Sequence, residues 1–259
     1  MRIESSAGYF SPATPRIIAH RGLSVDAPEN TLLSFLKALS AGVRHLETDV
    51  HASADGHAVI SHDEDLARVA GRSVRVDQLT MAELRKVNLG AGQSFSSLAE
   101  MLDAFPDARV NIDVKSAAAI EPTVRAILDA HATDRVLVTS FDEKRRAAAV
   151  AGLPGVATSA SSSILARTLV ALRTGNTSAV ARALGGVGAV QVPERYGPVR
   201  IVTPRSVRML RNAGVEVHVW TINDPADMRR LLDMGVDGLV TDRADLALAL
   251  VAERNGFRE

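Results

Sequence analysis

Short apolar runs alternate with amphipathic stretches of helical spacing along most of this chain. The first run, Arg16-Ile17-Ile18-Ala19-His20, reads as a strand that stops on a histidine. From Thr31 to Ala41, Leu32, Phe35, Leu36 and Leu39 recur at helical intervals. Asn30 or Thr31 is placed to cap the start of that helix, and Gly42 to close its end. A second strand follows over 45–50. Asp55-Gly56 is a hairpin dipeptide leading into Ala58-Val59-Ile60, and a polar, turn-rich segment runs on to about Gln93. Within it, Thr80 and Glu83 are spaced as a capping box for a short helix over 80–86. Leu98 to Phe105 is helical and stops at Pro106, and Val110 to Lys115 alternates as a strand. The rhythm is then regular: helix 120–130, strand 136–140, helix 142–151, strand 155–159 and one long helical stretch from Ile164. Strand 188–192, helix 204–213, strand 215–220, helix 224–234, strand 237–241 and helix 244–254 complete it.

This pattern predicts eight main strands, each followed by a helix, with no linker that splits the chain. Alternating βα units imply a parallel sheet. Eight of them in 259 residues match a closed (β/α)8 TIM barrel, whose usual size is about 250 residues. An open doubly wound sheet is the alternative. It is weakened because His20-Arg21-Gly22-Leu23, not a glycine-rich dinucleotide turn, follows the first strand. Residues 1–15, with Pro12 and Pro15, read as an N-terminal arm on this single domain.

Composition narrows the chemistry. Lys plus Arg and Asp plus Glu both number 30, so the formal net charge is zero and no basic field favours nucleic acid. The chain has no cysteine, which excludes disulfides and thiolate metal sites and leaves oxygen or imidazole ligands for any metal. No run of about 18 apolar residues offers a membrane span, and residues 1–15 hold no apolar run of signal-peptide type. A soluble, cytoplasmic protein is the expectation.

Catalytic groups of such barrels sit at the C-terminal ends of strands. Here strand one ends at His20, strand two at Glu47 and Asp49, and strand three at Asp113 and Lys115. Side chains two apart on a strand share a face. If strand three lies beside strand two, three carboxylates and a lysine converge. Such crowding repels unless a cation sits among the carboxylates, and an all-oxygen set suits Mg²⁺, Ca²⁺ or Mn²⁺. The plainer reading is an ion-pair network closed by Lys115. His62 follows Val59-Ile60-Ser61 at a further strand end. A lone strand-end histidine is usually structural, but two beside a carboxylate cluster suit proton transfer. One accepts a proton from the attacking oxygen and the other protonates the leaving alkoxide. Arg21 and Lys115 are the cations that can neutralise phosphoryl oxygens.

In this setting the chain resembles the glycerophosphodiester phosphodiesterase family. The resemblance rests on Ile18-Ala19-His20-Arg21-Gly22, Ala27-Pro28-Glu29-Asn30-Thr31, Leu46-Glu47-Thr48-Asp49-Val50, Asp55-Gly56 and Ser61-His62-Asp63. It continues through Asn111-Ile112-Asp113-Val114-Lys115, Ser140-Phe141-Asp142, Val219-Trp220-Thr221-Ile222-Asn223, Gly235-Val236-Asp237-Gly238 and Thr241-Asp242. Each is weak alone; their order along 17–245 makes the set specific. The resemblance implies a TIM barrel with a small insertion between strand 2 and helix 2, here about 51–94. It implies divalent-cation-dependent hydrolysis of small-molecule glycerophosphodiesters to sn-glycerol 3-phosphate and an alcohol. By matching positions it makes His20 and His62 the general acid/base pair, Arg21 and Lys115 phosphate ligands, and Glu47, Asp49 and Asp113 metal ligands. In the family, the glycerol's own neighbouring hydroxyl can be the attacking group, giving a cyclic phosphate first.

One position departs from the family pattern: Asp113 stands where glutamate is usual. Its reach is about 1.3–1.5 Å shorter, so the metal sits nearer strand three or a water bridges the gap. Glu29, Gln191 and Trp220 are candidates for the substrate pocket. Capping and loop-fixing explain Asn30, and Asp63 orients His62 or caps the following turn. His45, His51, His57, His131 and His218 read as structural or solvated, and the Leu165, Leu169, Leu172 stripe as core. Two rival readings remain: a lysophospholipid or other lipid phosphodiesterase with an apolar groove at the barrel mouth, drawn from 160–185, and a non-catalytic barrel that binds a phosphorylated ligand. The second expects loss of a histidine or carboxylate, and both histidines are present.

Overall fold

A computed structural model describes residues 8–256. The barrel strands are β1 (Arg16–Ala19), β2 (His45–Ala52), β3 (Arg109–Val114), β4 (Val136–Thr139), β5 (Ala157–Thr158), β6 (Ala189–Pro193), β7 (Glu216–Trp220) and β8 (Gly238–Thr241). They pair in parallel in the order β5-β4-β3-β2-β1-β8-β7-β6. A parallel bridge between Ser159 and Ala189 closes the remaining β5–β6 seam. There the N–H of Gly188 donates to the Thr158 carbonyl (2.9 Å) and that of Ala160 to the Ala189 carbonyl (3.0 Å). The expected (β/α)8 barrel is therefore the fold.

Strands of a parallel barrel are covered on both faces, which is why Ile17-Ile18-Ala19 and Val136-Leu137-Val138 read as unbroken apolar runs and are buried. Their outward side packs on the helical layer through residues such as Phe35 and Ala38 of helix Leu32–Ser40 and Ile127 of helix Ile120–Asp129. Thr31, not Asn30, caps the first helix by accepting from the Ser34 N–H.

The segment after β2 forms the expected insertion. Ala58–Ile60 pairs antiparallel with the end of β2, and Asp65–Leu66 pairs with Arg72–Arg75. Val59, Leu66, Val76, Met81, Leu84, Val87 and Phe95 give it a small core of its own. The Thr80/Glu83 capping box opens helix Met81–Leu84.

Two elements differ from the periodicity reading. The stretch from Ile164 is two helices, Ser162–Thr174 and Thr177–Leu184. Gly175, at φ 73, ends the first in the left-handed conformation, and the Asn176 side chain caps the second by accepting from the Ala179 N–H at 3.1 Å. A hairpin, Arg195–Tyr196 with Val199–Arg200, also rises after β6 where the pattern gave only loop. Of the N-terminal arm, residues 1–7 lie outside the described residues, and 8–15 fold against the barrel floor. Tyr9 is buried against Leu137, Ala157 and Ala189. The carbonyls of Gly8 and Tyr9 accept from Arg109 (2.8 Å) and His45 (2.9 Å), and those of Phe10 and Pro12 from Arg16.

Candidate active site

The strand ends meet as the two-residue spacing requires. In the β2–β3 ladder Glu47 stands opposite Asn111 and Asp49 opposite Asp113. Together with His20, Arg21, His62 and Lys115 they line one cavity of about 190 Å³ at the barrel mouth. Gln191 and Ser159 line it further, and Trp220 and Phe141, ring centroids 6.0 Å apart and edge to face, add an aromatic wall.

Each histidine at the cavity is anchored by an aspartate. His20 Nδ1 donates to Asp242 Oδ1 at 2.7 Å, and Asp242 in turn accepts from Asn223 Nδ2 at 2.7 Å. His62 Nδ1 donates to Asp63 Oδ1 at 2.8 Å. Both contacts occupy Nδ1 and leave Nε2 for other chemistry. Burial disfavours the His20 imidazolium, but the Asp242 hydrogen bond and the charge of Glu47 outweigh it, so its pKa is raised. The sign of the pH effect follows. A raised histidine adds stability that is complete below about pH 6.5 and is lost as pH climbs through the folded value. The pair is partly exposed, so wild type should exceed Asp242→Asn in thermal-unfolding stability by about 1 kcal/mol or less near pH 5.5. The two should converge near pH 9; a gap constant across that range contradicts the pairing.

The carboxylates are buried. Burial and the adjacent Asp49 charge push Glu47 well above the ordinary carboxylate range, while it accepts the Arg21 N–H at 3.0 Å. Burial works against Asp49 as well, but Lys115 at 2.8 Å and Arg21 at 3.4 Å hold it low. Asp113 is raised by burial although Lys115 touches its Oδ2 at 2.7 Å. The Lys115 ammonium thus lies between Asp49 and Asp113, where the sequence reading set a metal, and its pKa is raised by those carboxylates against the cost of burial.

Arg21 adopts φ 58, unusual for a residue with a side chain. Gly22 follows at φ 86, where an added Cβ would lie 2.5 Å from Ser34 Oγ, so only glycine lets the loop pack on the first helix. The Arg21 guanidinium turns to Glu29 (3.0 Å), which also accepts from Arg68 (2.6 Å). Asn30 is no helix cap; its Nδ2 donates to Asp49 Oδ2 (3.2 Å) and its Oδ1 accepts from Thr48 (2.8 Å), fixing the second strand-end carboxylate. Gln191 joins Ser159 (3.2 Å) and Asn111 (3.4 Å) at the cavity floor. His51 donates to the His62 carbonyl at 3.3 Å. His45 is in the barrel floor, where burial drives its pKa down to about 3.

Three groups escaped the sequence reading. Asp242 and Asn223 stand in motifs of the family resemblance, and a polar residue just past the last strand is the sequence signal for Asp242. Arg68 lies in the polar insertion with no signal at all.

The donor set can be tested against a divalent cation. Asp113 Oδ1 is buried without a hydrogen-bond partner, and Glu47 is a buried carboxylate raised by a neighbouring negative charge. Both are unmet demands for positive charge, and the oxygens of Glu47, Asp49 and Asp113 fit a hard cation. As they stand, no three His, Asp or Glu side chains among the described residues are placed so that they could hold a metal ion; the Lys115 ammonium takes the place between Asp49 and Asp113.

Residues 20–246 match the model of the glycerophosphoryl diester phosphodiesterase family. The chain belongs to that family. Membership makes it a phosphoric diester hydrolase. It is 47% identical over 231 residues to a probable glycerophosphodiester phosphodiesterase 2 of Mycobacterium tuberculosis, covering 88% of each chain. The fold is similar to a putative glycerophosphoryl diester phosphodiesterase of Silicibacter pomeroyi, with TM-score 0.78 and 25% identity over 94% of this chain and 95% of that one. It is also similar to an Oleispira antarctica phosphodiesterase solved with the product sn-glycerol-3-phosphate, with TM-score 0.77 and 24% identity over 92% of this chain and 97% of that one. Among the described residues, no helix of this family member is long and apolar enough to cross a membrane.

Proposed function

We propose that this chain hydrolyses small glycerophosphodiesters to sn-glycerol 3-phosphate and an alcohol, by acid/base catalysis from His20 and His62. The observation that carries this reading is the pair of Asp-anchored histidines lining one cavity with buried carboxylates and two cations. His20, whose pKa is raised, keeps its proton and gives it to the leaving alkoxide oxygen as the P–O bond breaks. His62 takes the proton from the attacking oxygen as the new P–O bond forms. Where that oxygen is water's, glycerol 3-phosphate results at once; where it is the glycerol's neighbouring hydroxyl, a cyclic phosphate forms first, and water then opens it with the two histidines in exchanged roles. Arg21 and Lys115 draw the phosphoryl oxygens and neutralise charge developing on them. Glu47, Asp49 and Asp113 would hold a divalent cation, Mg²⁺, Ca²⁺ or Mn²⁺, which when bound supplies further positive charge at the phosphoryl group. Trp220 and Gln191 line the substrate side, and Glu29 acts through Arg21.

The cavity of about 190 Å³ supports a small polar diester; pockets for drug-sized ligands run about 300–1,000 Å³. A cytoplasmic site of action, in the turnover of lipid head groups and glycerol, fits such a water-soluble substrate. The lysolipid alternative draws less support. The apolar groove formed by Leu169, Leu172, Ile201 and Met209 shares no residue with the catalytic cavity. The test is release of glycerol 3-phosphate from glycerophosphocholine or glycerophosphoethanolamine, with and without EDTA, beside a lysophospholipid. The expected result is turnover of the soluble diesters that EDTA abolishes and an added divalent metal restores. Faster turnover of the lysolipid, or none of any diester with any metal, overturns the reading.

A further inference from the structure

Arg68 lies on the insertion's short helix Ala67–Ala70, outside the barrel strands altogether. Its guanidinium donates from Nε to Asp63 Oδ2 and from Nη2 to Glu29 Oε1, both at 2.6 Å. The same Glu29 oxygen accepts from Arg21 Nη1 at 3.0 Å, and the other Asp63 oxygen holds His62 Nδ1 at 2.8 Å. The result is an unbroken chain of hydrogen bonds, Arg21–Glu29–Arg68–Asp63–His62. One of its ends is the arginine at the cavity, the other a cavity histidine.

We propose that Arg68 is a positioning residue for phosphodiester cleavage, fixing His62 through Asp63 and Arg21 through Glu29. This rests on the phosphodiesterase reading of the site. A carboxylate next in sequence to the histidine it orients needs a second anchor, or it rotates and the imidazole turns with it. The planar fork of a guanidinium reaches two carboxylates in fixed directions at once; a lysine ammonium is a point charge without that geometry. Asp63 and Glu29 are each held low in pKa, against the cost of burial, by these same hydrogen bonds, which agrees with two ionised carboxylates held by the guanidinium. Arg68 is half exposed, so the chain adds little to global stability while still setting orientation. The insertion thereby contributes to the chemistry twice, through His62 at the cavity and through Arg68, which does not itself line it.

The test compares wild type, Arg68→Ala and Arg68→Lys with glycerophosphocholine, together with thermal melts. Arg68→Ala should lower kcat about 10–100-fold, as loss of an outer orienting partner does, with a small change in Tm. Arg68→Lys should recover only part. Because the site is open to solvent, methylguanidinium should restore part of the Arg68→Ala rate. A kcat within about twofold of wild type, or a loss that methylguanidinium leaves untouched, overturns the proposal. A substrate-free readout separates this from the functional reading. In imidazole ¹⁵N spectra, neutral His62 should carry its proton on Nδ1 in wild type and as a mixture of tautomers in Arg68→Ala. If wild type cleaves no glycerophosphodiester, the functional reading falls, and these spectra still decide whether Arg68 orients His62.

Discussion

His20→Ala and His62→Ala should each lower kcat for glycerophosphocholine by about 10²–10⁴-fold, the range expected for one general acid or base. The geometry makes the effect specific to chemistry. Each ring is tethered through Nδ1, to Asp242 at 2.7 Å and to Asp63 at 2.8 Å, so truncation removes the free Nε2 from the cavity. Neither side chain is fully buried, so a folded variant is expected and the loss should not follow Tm. If the two transfer protons in one concerted event, the double variant loses far less than the product of the single losses. Steady-state kinetics beside melting curves check this. Either single variant with kcat near wild type would remove that histidine from the acid/base pair.

Lys115→Met should be the most damaging change to the fold among the cavity residues. The ammonium is the counter-charge of Asp49 and Asp113, at 2.8 and 2.7 Å, and those carboxylates are almost completely buried. Removing one partner of a buried pair costs about 3–5 kcal/mol, because the orphaned charge stays buried. Lys115 is itself a fifth exposed, which argues for the lower end, about 3 kcal/mol. The sign of the pH dependence is set by the carboxylates. Without Lys115 their folded pKa values rise, so the variant binds protons more readily when folded, and its deficit shrinks as pH falls. Millimolar Mg²⁺ or Ca²⁺ should also narrow the deficit by supplying the missing charge. Urea unfolding near pH 5 and pH 8, with and without the cation, reads both effects. A deficit indifferent to pH and to cation contradicts this electrostatic account.

What the sequence disclosed was whatever depends on local periodicity. The two-residue spacing of Glu47 and Asp49 and of Asp113 and Lys115 put each pair on one strand face, and the parallel order of β2 and β3 then brought them into register. The barrel was legible because its strands are short apolar runs with one polar end. What stayed hidden depends on side-chain paths. The ammonium of Lys115 folds back between two carboxylates, which strand spacing does not specify. Asp242 reaches His20 only because barrel closure sets β8 beside β1, an adjacency no local pattern encodes. Arg68 has no periodic context in the insertion, and only the tertiary fold brings it to Glu29 and Asp63. Other details are written locally, as with Gly175-Asn176, a stop signal and a cap in succession that divide one long periodic stretch into two helices.

The uneven closure of the barrel has a consequence for how this catalyst can diversify. His20, Arg21 and the carboxylates hang from β1, β2 and β3, and β2 and β3 share a six-residue ladder. Ser159 and Gln191, on the other wall of the cavity, flank the seam that a single bridge holds between β5 and β6. The backbone pairing is longest under the carboxylate pairs and shortest at the seam beside Ser159. If the leaving alcohol rests on that wall, substitutions in β5, β6 and the hairpin that follows should change which diester is cleaved while leaving the groups on β1, β2 and β3 in place.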